Sequence, residues 1–140
     1  MPIANAVLFH WDSTYSVNIG VIDAQHKTLV AMVNDLHQAM VEGSGKAKLG
    51  GILSNLIKYT QAHFATEERL MQSHGYPDFL AHKLEHQGLT DTVLDLQSRF
   101  LATQVGLSIE VMDFLKGWLM KHILGSDKKY SPFLNAKGVR

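Results

Sequence analysis

Hydrophobic positions recur along this chain at alternating spacings of three and four, which puts them on single faces of successive helices. Leu29, Val30, Val33, Leu36 and Met40 form a first stripe. Asp23 is placed to N-cap that segment, and "GSG", Gly43 to Gly45, ends it after Glu42. Leu49, Ile52, Leu56 and Leu70 mark a second segment, from about Ala47 to Ser73. It stops at "HGYPD", where Gly75 can take the left-handed conformation and Pro77 cannot continue a helix. A third follows, with Asp78 as its cap, Phe79, Leu89, Val93, Leu96 and Phe100 on its seam and an end near "QVG", residues 104–106. The fourth carries Val111, Leu115 and Trp118 and is expected to break at Gly125 and Ser126. Strand signals are few beyond the first 22 residues. The pattern predicts an all-α fold: an antiparallel up-down-up-down four-helix bundle over residues 23–130, with an N-terminal arm, 1–22, and a C-terminal tail, 131–140.

The stripes are interrupted by polar residues where leucine would fit. His26 opens the first, His63 and Glu67 lie on the second, His82 and His86 on the third and His122 on the fourth. In antiparallel order the start of helix one, the end of helix two, the start of helix three and the end of helix four all meet at one end of the bundle. These side chains therefore gather at one level. Left unpaired, each buried group would cost about 1 to 3 kcal/mol, and a charge more. A bound cation removes that penalty. His63 and Glu67, like His82 and His86, are four residues apart, offset by only about 40° on a helix, so each pair can reach one centre. Asp127 follows His122 by five residues, which turns it about 140° away on an ideal helix. Its carboxylate joins the others only if the helix opens within "HILGSD".

Composition limits the chemistry further. A chain of 140 residues is the size of one domain. Thirteen Lys+Arg balance 13 Asp+Glu, so neither nucleic acid nor an anionic membrane is favoured as a partner. Without cysteine there are no disulfides, thiolate ligands or thiol nucleophile, and a metal must be held by nitrogen and oxygen. The first residues read as neither a secretory signal nor a membrane span, so a cytoplasmic location is expected. Glu68 and Glu85 lie off the seams and are expected in solvent; His10, His37 and His74 have no place in the cluster, and His74 suits a helix C-terminus. "WDSTY" in the arm is expected to pack as a cover.

His26 in "IDAQHKTLV", with "HFATEE", "GYPDFLAHKLEH" and "HILGSD", resembles the hemerythrins in residue type, order and spacing over residues 7–132. The resemblance implies two iron ions with an oxo or hydroxo bridge. His82, His86 and His122 would hold one iron and His26 and His63 the other, with Glu67 and Asp127 bridging them. The second iron would then lack one ligand, and that position is where dioxygen would bind, walled by Leu29, Phe64, Trp118 and Ile123. Apolar residues at helical spacing are most often simply core, so these four are given a supporting role. The activity implied is reversible dioxygen binding by a carrier or store, not an enzyme, acting as a monomer; whether a protein receives the oxygen is left open. The alternatives are an oxygen or nitric oxide sensor, or a di-iron redox enzyme acting on peroxide or nitric oxide. Zinc also suits imidazole and carboxylate ligands.

Overall fold

The computed structural model describes residues 10–102 and 109–140. A short 3₁₀ turn, Ser13–Tyr15, leads into α1 (Gly20–Val41), α2 (Lys46–Ser73), α3 (Phe79–Leu101) and α4 (Ile109–Lys121). The chain then winds through a π-helical stretch, His122–Asp127, directly into α5 (Lys128–Ala136). α1 packs on α2 and α4, and α2 packs on α3, which gives the four-helix bundle. Its centre is filled by the stripes: Leu29, Leu36, Leu53, Leu119 and Ile123 are almost completely sealed, each stabilising the fold by roughly 1.5 to 3 kcal/mol. Among the described residues no helix is long and apolar enough to cross a membrane.

Gly75 does take the left-handed conformation, at φ 69°, which closes α2. Asp78 occupies the N-cap position of α3 but makes no side-chain capping bond. At the first helix the structure differs from expectation. α1 begins at Gly20, and Asp23 lies in its first turn rather than at its cap. There its carboxylate accepts hydrogen bonds from Ser16 Oγ at 2.6 Å and from the Val17 amide at 2.8 Å. A carboxylate beside a helix N-terminus is favoured by the helix dipole, and here it also ties down the arm. The expected end of the third helix, residues 104–106, and the side chain of Val111 lie outside the described residues.

The fourth helix does not break at Gly125 and Ser126. It changes winding and continues, so residues 131–136, expected as tail, are helical. The reason is burial: Tyr130 and Leu134 on α5 join Val17, Ile19, Ile22, Met71 and Tyr76 in a second apolar cluster. Ser131 Oγ donates to the Val17 carbonyl at 2.5 Å and Asn135 Nδ2 to the Asn18 carbonyl at 3.0 Å, so arm and α5 are stitched together. "WDSTY" packs against the bundle through Tyr15, which is buried, and Trp11, whose ring centroid is 6.3 Å from that of His26.

Candidate metal centre

Helical phase carries His26 on α1, His63 and Glu67 on α2, and His82 and His86 on α3 toward one level of the bundle. His122 and Asp127 come from the first and last residues of the π-helical stretch. All seven side chains are sealed, with exposures between 0 and 5 %. The π winding settles the position of Asp127. Its hydrogen bonds run from i to i+5, so residues five apart come close to one face. Asp127 Oδ1 lies 3.0 Å from His122 Nε2. The opening that the sequence required is thus a change of pitch.

The two carboxylates sort the histidines into two sets. Glu67 turns Oε1 toward His26 and His63, and Oε2 toward His82, 3.4 Å away, and His86, 4.0 Å away. Asp127 turns Oδ2 toward His26 at 2.9 Å, and Oδ1 toward His82 at 3.1 Å and His122 at 3.0 Å. Potential ligand atoms of His82, His86 and His122 with both carboxylates lie within 4.8 Å of one another, as do those of His26 and His63 with the same two carboxylates. Each acid therefore serves both sets with different oxygens.

These atoms are close without being paired. His26 Nε2, His63 Nε2, His82 Nε2 and all four oxygens of Glu67 and Asp127 are buried and make no hydrogen bond of acceptable geometry. Buried polar atoms are rarely left so. Lone pairs that converge on common points, rather than aiming at each other, are what a cation accepts. His86 Nε2 and His122 Nε2 face each other at 3.0 Å, a contact that repels unless a proton or cation is shared. The donor set, imidazole with carboxylate and no sulfur, suits iron, zinc or copper.

Electrostatics say the same. Burial opposes charge on His26, His82 and His122, but the adjacent carboxylates outweigh it and raise them to about 9, about 9 and about 10. Burial drives His86 the other way, to about 3. Burial also pushes Glu67 and Asp127 up, yet the surrounding imidazoles hold both below the usual carboxylate range. Without metal the cluster takes up protons, and a metal ion entering it displaces them.

Glu68 and Glu85 are not idle in solvent, contrary to the sequence reading. His63 Nδ1 lies 2.7 Å from Gln25 Oε1, His86 Nδ1 lies 2.9 Å from Glu68 Oε2, and His122 Nδ1 lies 2.8 Å from Glu85 Oε1. Each acceptor immediately precedes or follows a cluster residue on its own helix and orients the histidine of the next helix: α1 serves α2, α2 serves α3, and α3 serves the π stretch. With Nδ1–H donating outward, each Nε2 lone pair faces the centre. The hydrogen bond from His122 is the main reason that Glu85 is held down at about 2. Both Glu85 oxygens also accept from Ser126 Oγ, at 2.8 and 2.7 Å, which pins the π stretch to α3. The available signal was an acceptor adjacent in sequence to a cluster residue at three places. Glu85→Ala is expected to weaken metal binding about 10- to 100-fold; titration against a competing chelator measures it, and unchanged affinity would show that the bond does not orient His122.

Of the apolar residues singled out in the sequence, Phe64 and Trp118 meet this cluster directly. Phe64 stacks on His86 with ring centroids 3.8 Å apart and planes at 6°, and Trp118 stacks on His122 at 5.8 Å and 11°. Leu29 and Ile123 are sealed. Leu29 and Trp118 also border an apolar cavity of about 20 Å³ lined with Val33, Leu53 and Leu119. His74 caps α2, its ring nitrogen 2.8 Å from the Leu70 carbonyl. His10 is exposed and His37 half-buried, and neither is among the residues gathered at the centre.

Residues 17–134 match the family model described as the hemerythrin HHE cation binding domain. The chain is 40% identical over 130 residues to a bacteriohemerythrin of Methylococcus capsulatus, covering 92% of this chain and 98% of that one. It is 36% identical over 129 residues to a bacteriohemerythrin of Stenotrophomonas maltophilia, with coverages of 92% and 83%. A crystal structure of wild-type hemerythrin superposes with a TM-score of 0.86 at 40% identity, covering 91% of this chain and 98% of that one. A cation-binding family model spanning the bundle, and a 40% identical relative matched along 98% of its length, lead to one conclusion: this chain belongs to the hemerythrin family.

Proposed function

We propose that this protein binds dioxygen reversibly, as a carrier or store, at a pair of iron ions. His82, His86 and His122 would hold one ion, His26 and His63 the other, and Glu67 and Asp127 would bridge them. One observation carries this reading: each buried carboxylate directs one oxygen to the three-histidine set and the other to the two-histidine set. When bound, a ferrous pair supplies electrons that dioxygen can accept and return, with an oxo or hydroxo bridge between the ions completing the centre.

The chain's own residues supply the rest. The sets are unequal, five protein atoms against four, so the site at His26 and His63 has the freer position. His63 is fixed by Gln25 and lies beside Phe64; His26 lies under Trp11. Leu29, Phe64, Trp118 and Ile123 keep water and protons from a gas molecule seated there, and thereby disfavour its departure in reduced form. Two bridging carboxylates, against the four carboxylates of ferritin-like centres, place less negative charge on the metals and favour the ferrous state.

The test is iron content per chain with visible spectra through cycles of air and deoxygenation. Two irons and a reversible colour change are expected. Irreversible oxidation in the first cycle, or a single zinc ion in protein loaded with both metals, would overturn the proposal.

A further inference from the structure

Tyr130 lies three residues past Asp127, in the first turn of α5, and is completely buried. Its ring centroid is 5.5 Å from that of His82. The other sealed hydroxyls of this region are committed: Thr60 Oγ1 donates to the Leu56 carbonyl at 2.8 Å, and Ser131 Oγ to the Val17 carbonyl at 2.5 Å. The Tyr130 hydroxyl is buried and closes no hydrogen bond of good geometry. Apolar residues of the second cluster surround the ring, where phenylalanine would serve as well without stranding a polar atom. Beside that same His82 ring stands the Glu67 carboxylate, whose Oε2 is 3.4 Å from His82 Nε2.

Glu67 has two oxygens and four nearby imidazoles, and the described structure shows no hydrogen bond donated to either oxygen. We propose that Tyr130 is a positioning residue for the metal centre, its phenol O–H donating to the Glu67 carboxylate and holding that group with one oxygen toward each histidine set. This rests on the two-ion reading above. The donated bond also draws charge from the carboxylate, which weakens it as a ligand to oxidised metal more than to reduced metal.

The substitution that isolates the hydroxyl is Tyr130→Phe, with Co²⁺ as the probe because its absorption bands report ligand geometry. Two readouts are needed, Co²⁺ affinity by chelator competition and the band pattern. Affinity is expected to fall about 10-fold with shifted bands, while the melting temperature of chelator-stripped protein is unchanged or higher. Unaltered affinity and bands would overturn the proposal and leave Tyr130 as core. Phenolate ring modes enhanced in the visible resonance Raman spectrum of unaltered protein loaded with Fe³⁺ would also overturn it, by making the phenol a ligand. If the variant does not fold, ultraviolet resonance Raman of the unaltered protein decides: one tyrosine of the 4 should report as a strong donor once Co²⁺ is bound, and no such change counts against it. Failure of the unaltered protein to take up two Co²⁺ ions would instead defeat the underlying two-ion reading.

Discussion

Glu67→Ala is expected to abolish reversible dioxygen binding and to leave one iron or none per chain, where the unaltered protein holds two. Glu67 Oε1 faces His26 and His63, while Oε2 faces His82 and His86. Removing the side chain therefore takes one ligand from both sets at once. It also removes negative charge that offsets two divalent ions in a sealed, low-dielectric site. Glu68→Ala is the control, since it deletes only the hydrogen bond to His86 Nδ1; both irons should remain, with affinity lowered about 10- to 100-fold. Iron per chain and the visible spectrum in air read both variants. A Glu67→Ala protein that keeps two irons and a reversible colour change would show that this carboxylate does not bridge.

Removing the metal should have the second largest effect, a loss of more than about 10 °C in melting temperature at pH 9. Seven sealed side chains lose their shared partner. If only four of their groups remain unsatisfied, at about 1 to 3 kcal/mol each, a chain of this size loses that many degrees. The effect depends on pH with a definite sign. His26, His82 and His122 are raised to about 9, 9 and 10, so protonating them stabilises the stripped protein fully below pH 6.5. That contribution is lost as pH rises through 9 to 10. His86, lowered to about 3, acts oppositely below pH 6.5 but is outweighed by the other three. The gap between loaded and stripped protein should therefore be smaller at pH 6 than at pH 9, as calorimetry with and without chelator can show. A melting temperature indifferent to chelation at both pH values would mean that the cluster holds no metal.

Much of the centre was readable because its spacings are local. A histidine and glutamate four apart, or two histidines four apart, share a helix face whatever the rest of the molecule does. Gly75 and Pro77 bound α2 for equally local reasons: one tolerates a positive φ, and the other lacks an amide hydrogen. Asp23 shows where local reasoning fails. A carboxylate near a helix start suits both the cap and the first turn, and Ser16 and Val17 in the arm decided between them. Glu68 and Glu85 failed differently. Their angle from the seam was read correctly, but a residue off one helix's seam can border the next helix, and only the packed bundle shows which neighbour it meets.

Two sites depended on long-range contacts altogether. Gly125 and Ser126 permitted a departure from the α-helix but did not say which; Ser126 bonding to Glu85 on another helix, and the burial of Tyr130 and Leu134, favour a π winding that keeps the helix going. Tyr130 itself lay too close to an expected chain break to be noticed.

By itself, then, the sequence determined the four bundle helices, their antiparallel order and the level at which the histidines meet, since these follow from periodicity, turn residues and short connections. Tertiary structure alone decided which oxygen faces which histidines, which acceptors fix the rings, and how Asp127 returns to the centre. Those depend on distances of a few ångströms between helices, and no spacing along a single chain encodes them.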